Sequence, residues 1–209
     1  MARTHDSLQK SLREENVRAV EEAMHRTFLY LLDLFKQLAI LRPTNPINYT
    51  LTGIADLKGL GWGDAFVDGR KKRVGDRDVY DYIDFWIKWT QPGSLTVERD
   101  MPQTIAKVRD FLWAHNIKFT EEEKKNELRS LVKVTFSIPK AVTVDFTLKA
   151  DHENRKLLFF SKNALRLGMD DFAVPADEMT EAVIEELAKL LIAQPSEFAR
   201  KYRTVLKRS

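Results

Sequence analysis

A run of four basic residues, Arg70, Lys71, Lys72 and Arg73, is one place where this chain could bind phosphate. Such a run neutralises phosphates and would give salt-sensitive binding to nucleic acid or to an acidic membrane surface. Five aspartates flank the run and largely cancel its long-range field; they stand at positions 64, 68, 76, 78 and 81. We therefore interpret the run as a solvated hairpin tip in a loop, and nucleic-acid binding through it is the alternative hypothesis.

A pair of aspartates is the candidate for catalysis. Asp84 and Asp145 are both predicted to face outward from strands, and they would converge if those strands were neighbours, as general acid–base chemistry requires. The histidines, at positions 5, 25, 115 and 152, are scattered, and no pair has the spacing of metal ligands. We expect no metal and no cofactor. The balance is against an enzyme, and a carboxylate site on the sheet face is kept as a further alternative.

Aromatic side chains on the same predicted strand face form a third candidate. Tyr82 and Trp86 alternate with inward-facing residues and stand among lysines at positions 88, 133 and 149. Exposed aromatic rings among lysines can stack on nucleobases. The irregular, glycine-rich segment from Pro43 to Tyr80, in which we expect short strands around residues 49–51 and 66–67, must also pack somewhere, and we expect it to cover these rings.

The elements that position these residues begin with strands. Apolar residues at every second position predict strands over residues 132–138 and 142–148, joined by a turn at Pro139-Lys140, and a covered strand over 156–160. The same period predicts a strand over residues 81–89, a turn at 91–94 and a hairpin partner at 95–97.

Helical periodicity is clearest from Ser7 to Leu41, where the a/d positions of a heptad repeat are apolar except for Thr27. We expect its second half to be covered by the sheet, with a second subunit as the other possible cover. In its first half, a seam is predicted to pair with a second copy: Leu8, Leu12, Val17, Val20 and Met24. Further helices are predicted after Asp100, after Pro175 and after Ser196.

These elements predict an α+β fold. We expect a mainly antiparallel sheet of about five strands, with the long N-terminal helix and two or three further helices packed on one face. Residues 1–209 are assigned to a single domain, and residues 1–24 are a candidate projecting helical arm.

Composition restricts the function only broadly. The 209 residues are 44% hydrophobic, and 34 basic against 31 acidic residues leave a net charge of +3, which by itself does not indicate a polyanion partner. There is no cysteine, so disulfides and thiolate sites are excluded. No apolar run approaches the ~18 residues that cross a bilayer, so we expect no membrane insertion and a cytoplasmic protein. The leading hypothesis is a non-catalytic interaction or assembly protein that forms a homodimer through its N-terminal helix, with an unidentified protein partner also compatible.

Overall fold

The computed structural model describes residues 2–207, with side chains from residue 9 onward. Its helices are α1 (Ala2–Leu41), α2 (Pro102–Ala114), α3 (Glu181–Leu191) and α4 (Phe198–Tyr202). Its strands are β1 (Thr44–Asn45), β2 (Tyr49–Leu51), β3 (Ala55–Leu57), β4 (Leu60–Val74), β5 (Arg77–Arg99), β6 (Thr120–Lys125), β7 (Leu131–Asp151), β8 (Lys156–Lys162), β9 (Met169–Pro175) and β10 (Arg203–Thr204). A short 3-10 turn, Ala176–Glu178, precedes α3.

The predicted α+β class and antiparallel pairing are confirmed, but the expected number of strands was too low. Within the described residues the main sheet has eight strands, in the order β1-β4-β5-β7-β8-β9-β10 with β6 added on β7, and it curls into a half-barrel. The segment expected to be irregular contains β4, one of the longest strands. β6, β9 and β10 were missed. A separate hairpin joins β2 to β3.

Two predicted turns are bends inside continuous strands. β5 runs through residues 91–93 and β7 runs through Pro139-Lys140, and the two strands pair with each other on both sides of the bend. Thr90 lies opposite Ala141 and Ser94 lies opposite Pro139, so β5 carries extra residues at this point. Gly93 takes φ of 84° there, a conformation that glycine adopts without steric cost. The predicted strands 132–138 and 142–148 are therefore two halves of β7, and both pair with β5.

The predicted strand faces are correct. Ile83, Phe85, Ile87 and Trp89 of β5 are fully buried, and the rings of Phe85 and Phe146 stack with centroids 5.0 Å apart across β5 and β7. We call this side of the sheet the inner face. The outer face carries the alternate residues, from Tyr82 to Lys88 on β5 and from Thr143 to Lys149 on β7.

The sheet covers α1, as expected. Phe28 lies against Gly69 of β4, and the buried residues of α1 recur at helical spacing: Val20, Ala23, Met24, Thr27, Leu31, Phe35 and Leu38. The second half of α1 is not covered all round, because Ile40 is 82% exposed and Leu41 is 72% exposed. One side of the helix faces the sheet and the other faces solvent.

The remaining helices complete the core. Phe198 of α4 contacts the rings of Phe159 and Phe172 on the inner face, with centroids 5.4 Å away in each case. α3 packs on α1 and α4, and α2 buries Ile105, Val108 and Leu112. Of the helices in the described part of the chain, none combines the length and apolar character needed to cross a membrane.

Replacing Phe146 with Asp tests the assigned faces. Phe146 is fully buried, so the substitution removes a packed ring and places a charge in the core, at a combined cost of several kcal/mol against a typical stability of ~5 to 15 kcal/mol. We expect Phe146→Asp to yield unfolded protein by circular dichroism. Thr96→Asp puts the same residue on an exposed strand position and should melt within a few degrees of the parent. Equal losses from both substitutions would refute the face assignment.

Replacing Gly69 with Ala tests the contact between α1 and β4. An added Cβ would stand 3.2 Å from the Tyr80 ring and 3.3 Å from the Phe28 ring, closer than ordinary contact. Overpacking of this kind costs about 1–3 kcal/mol. At Gly61 the nearest atom would be 3.8 Å away, so Gly61→Ala should be neutral or stabilising. Urea unfolding of the two variants should show a lower midpoint for Gly69→Ala only.

Candidate functional site

Asp84 and Asp145 lie on the outer face of neighbouring strands. Within the pairing of β5 with β7, Asp84 is opposite Thr147 and Trp86 is opposite Asp145, so the two carboxylates are diagonal neighbours. The Thr147 hydroxyl donates a 2.7 Å hydrogen bond to Oδ1 of Asp84. Asp145 accepts a hydrogen bond from the backbone N–H of Phe146, so each carboxylate already accepts one hydrogen bond within the chain.

Asp145 is electrostatically unfavourable in its charged form. Asp145 is exposed at the protein surface, but partial desolvation by the neighbouring strands raises the pKa of its carboxyl above the ordinary value, and the Asp84 carboxylate raises this pKa further. A hydrogen bond from the backbone N–H of Phe146 lowers this pKa, and so does Lys162, which is opposite Asp145 on β8. Asp145 therefore carries its negative charge at a cost to the folded state.

A groove of about 500 Å³ opens beside Asp145. It is lined from the sheet and from residues 115–118, which follow α2. The chain turns there because Asn116 adopts φ of 54° and its N–H bonds to the carbonyl of Trp113. The chemically active side chains that line the groove are Trp86, Lys88, His115, Lys118, Asp145 and Lys162.

The groove is cationic. Its lining has three lysines, Lys88, Lys118 and Lys162, against the single carboxylate of Asp145. In the part of the chain that the structure describes, no salt bridge engages any of these three ammonium groups. A small anion entering the groove would therefore meet ammonium groups that no salt bridge holds, of which Lys162 also attracts Asp145.

The segment from Pro43 to Tyr80 covers the outer aromatic rings in part, because its Phe66 stacks on Trp86 and its Arg70 lies over the Tyr82 ring, and both rings are half-buried. Most of that segment is incorporated in the sheet as β1 and β4 or folds into the small hairpin. Phe66 of β4 stays 45% exposed and stacks on Trp86, with centroids 5.9 Å apart and an angle of 20° between the rings. Trp86, which is half-buried, thus presents a supported ring at the groove.

A second groove, of about 770 Å³, adjoins the first and shares Asn116, Ile117, Lys118 and Pro139 with it. Trp113 lies there with 72% of its surface exposed, against the edge of Phe119. Its arginine is already paired, because Arg109 contacts Glu121 at 2.8 Å and Glu123 at 3.5 Å. This groove is aromatic like the first, but its charge is compensated.

The basic run lies at the end of β4 and not in a loop. Its four side chains are exposed, as expected for a solvated hairpin, whose tip is Gly75-Asp76. Lys72 forms a 2.8 Å salt bridge with Asp81. Arg70 lies over the Tyr82 ring and Lys71 over the Tyr80 ring, at 5.6 and 4.7 Å from the centroids. Tyr82 is on the outer face and Tyr80 is buried with the core, so the run is divided between two faces.

The helical seam is also divided. Val20 and Met24 have no exposed surface because the chain's own core encloses them, so they are unavailable to a second copy in this arrangement. Val17 is half-buried and Leu12 is 58% exposed. The Leu8 side chain lies outside the described residues. From Glu15 onward the helix is docked, since Arg155 contacts Glu15 at 3.2 Å.

The histidines do not form a site together. Nδ1 of His25 is 3.1 Å from the Tyr80 hydroxyl, and Nε2 of His152 is 3.1 Å from Oε1 of Glu21. His115 packs on the Phe111 ring with centroids 4.4 Å apart, and the side chain of His5 lies outside the described residues. Across the described part of the chain, no group of three histidines or acidic residues is placed to hold a metal ion.

No protein-family model matches this chain, and no significant match was found among curated proteins or among solved structures. Its function is therefore argued from the geometry of its surfaces.

The pKa of Asp145 generates a test of the groove's electrostatics. Because the pKa of Asp145 is higher in the folded protein than in the unfolded chain, protonation of this carboxyl stabilises the fold. The stabilisation is fully present below the ordinary carboxyl pKa of ~3.9 and is lost as pH rises through the pKa of the folded protein. Asp145→Asn removes the charge and should raise Tm at pH 7. The advantage should shrink towards zero near pH ~3, where the parent carboxyl is protonated. Asp76→Asn, at the exposed hairpin tip, should change Tm little at either pH. A lower Tm for Asp145→Asn at pH 7 would mean that the Phe146 hydrogen bond and the attraction to Lys162 together outweigh desolvation and repulsion by Asp84.

Proposed function

We propose that this chain is an assembly protein that forms a homodimer, and that the surface it uses is the free edge of β4. The observation that supports this is a long unpaired strand edge. β1 pairs only with Leu60 and Gly61, and the Trp62 N–H bonds to the Pro43 carbonyl. Residues 64–74 pair with β5 on one side and, among the described residues, with no strand on the other.

An edge of this length is a template for another strand. Natural proteins usually use charged side chains to protect such edges from pairing with another strand. The basic run at positions 70–73 would protect this edge from a second copy if the whole edge were basic. The edge is instead divided: Asp64 and Asp68 occupy its first half and the basic run its second half. Antiparallel pairing with an identical edge brings acidic halves against basic halves, so this edge favours its own copy.

The register follows from using the whole edge. Residue 69 is the midpoint of residues 64–74, so full antiparallel pairing places the twofold axis at Gly69. Asp68 of each copy then lies opposite Arg70 of the other, and Phe66 lies opposite Lys72. Opposite charges on directly facing positions contribute about 0.2–1 kcal/mol per pair, and like charges are destabilising.

The N-terminal helix remains the second candidate surface. Leu12 is exposed at 58%, and the side chains of residues 9–14 are exposed as well. With Val20 and Met24 enclosed in the core, the helix offers a shorter apolar seam than the sequence pattern suggested. Nucleic-acid binding through Arg70–Arg73 is less favoured, because those side chains point to both faces of the strand and aspartates stand beside them.

Charge reversal tests the edge dimer. Arg70→Asp would place an aspartate opposite Asp68 of the second copy, and Asp68→Arg would oppose two arginines, so each variant should be monomeric by light scattering after size exclusion. The double variant Asp68→Arg, Arg70→Asp restores opposite charges and should dimerise again. Mixing the two single variants should give a heterodimer, because every facing pair is then attractive.

Deleting residues 1–14 is the control for the helix. The edge dimer should survive this deletion. Loss of the dimer on deletion, with dimers retained in both charge variants, would assign assembly to the helix instead. A parent protein that stays monomeric at ~100 micromolar, where a dimer with a Kd of ~10 micromolar would be mostly associated, would overturn the assembly proposal.

A further inference from the structure

The outer-face groove combines three different binding elements in one place. Trp86 offers the face of an aromatic ring, which Phe66 supports from behind by stacking at 5.9 Å. Lys88, Lys118 and Lys162 supply cations, and Asp145 supplies an acceptor oxygen. Taken together, these elements suit a heteroaromatic ring that has an N–H donor and carries an anionic group. A lipid, a neutral sugar or a simple metal ion would leave at least one of the elements unused.

The size of the groove agrees with a small molecule. Ligand sites in proteins commonly enclose about 300–1,000 Å³, and this groove encloses about 500 Å³. Its lining also comes from elements that hold one another: β5, β7 and β8 are hydrogen-bonded neighbours, and the backbone N–H of Ile117 bonds to the carbonyl of Leu112 in α2. The backbone positions from which Trp86 and the three lysines project are therefore set by the fold before a ligand arrives.

The charges around the groove indicate whether it would bind a single nucleotide or a nucleic-acid strand. A strand would carry a phosphate every few ångströms and would need cations beyond the groove. On the side of the second groove, Arg109 is neutralised by Glu121 and Glu123. On the opposite side, Asp84 is the neighbour of Trp86 on the outer face of β5, and Asp68 of β4 is opposite Asp84. The cationic surface is bounded by carboxylates and accommodates one anionic group.

We propose that this groove is a mononucleotide-binding site, in which the base stacks on Trp86 and donates a hydrogen bond to Asp145, while the phosphate lies among Lys88, Lys118 and Lys162. None of the residues that line the groove belongs to β4, and the groove meets the β4 edge where Phe66 stacks on Trp86. A small metabolite bound in the groove would then be sensed by a protein whose assembly surface lies elsewhere on the same sheet.

Calorimetric titration of the full chain with adenosine 5′-monophosphate tests the proposal. We expect saturable binding with a Kd below about 1 mM. Adenosine alone and inorganic phosphate alone should each bind at least about tenfold more weakly, because each uses only part of the site. Trp86→Ala should weaken binding about tenfold or more through lost stacking, and Lys88→Gln about fivefold through a lost charge-assisted contact.

Lys149→Gln is the matched control. Lys149 is exposed on the same outer face, 5.3 Å from the Phe160 ring centroid, and does not line the groove. This variant should bind the nucleotide like the parent. Absence of saturable binding at about 1 mM would overturn the proposal, and so would phosphate binding as tightly as the nucleotide. An oligodeoxyadenylate of about ten nucleotides that binds more tightly per nucleotide than the monomer would identify a strand-binding surface instead.

Discussion

The carboxylate of Glu21 ties the long helix to the sheet, and the rest of the structure depends on this connection. Its two oxygens accept the backbone N–H of Tyr80 at 2.9 and 3.0 Å. Tyr80 lies beside a bulge, because Arg70 is opposite Tyr82 while Lys71 is opposite Tyr80. A bulge interrupts the ladder, and a buried N–H without an acceptor would be costly. The helix supplies that acceptor, and His152 at 3.1 Å brings the β7–β8 turn to the same carboxylate. Helix, edge hairpin and sheet centre are thus held by one side chain.

Irregularities in the ladder also create the outer groove. A sheet of regular strands twists evenly, whereas extra residues bend a strand locally and redirect its side chains. β5 has its extra residues at 91–93, opposite Pro139-Lys140 of β7. Pro139 and Ala141 both line the groove, so the depression lies where the paired strands bend. Pro139 has no backbone N–H to donate to the ladder. This costs little here, because the pairing of β5 with β7 is already interrupted beside it.

The sequence predicted the faces of the sheet better than its topology. Period-two alternation placed Phe85 and Phe146 in the core correctly, and it also predicted correctly that Asp84 and Asp145 would face the other way. The predicted topology was wrong where a local sequence signal is compatible with two structures. Gln91-Pro92-Gly93 is typical of a hairpin turn, but it forms a bulge in a strand that is far longer than the usual 5–6 residues. Only residues 66–67 of β4 were predicted as a strand, because glycine and charge interrupt the pattern of β4, as is tolerated on an edge. His115 and Lys118 could not be assigned to the groove at all, because tertiary packing of α2 brings them there. Lys162 was within reach, as it extends the alternation of β8 by one further step.

Segregation of charge explains how a chain with a net charge of only +3 could have two distinct recognition surfaces. Along β4 the opposite charges lie in sequence, acidic and then basic, and only an antiparallel partner with the same order can satisfy both halves. On the outer face the opposite charges lie across strands, where Lys88 and Lys162 are separated from one another by Trp86 and Asp145 and bounded by further carboxylates. The order of charges along β4 selects for the direction of a partner strand. The charges on the outer face select for the number of anionic groups on a ligand. Both patterns are invisible in the total charge, because a folded sheet brings together residues that are distant along the chain. The bulge that needs Glu21 affects only the basic end of the β4 edge, since it shifts the pairing of β4 with β5 from Lys71 onward.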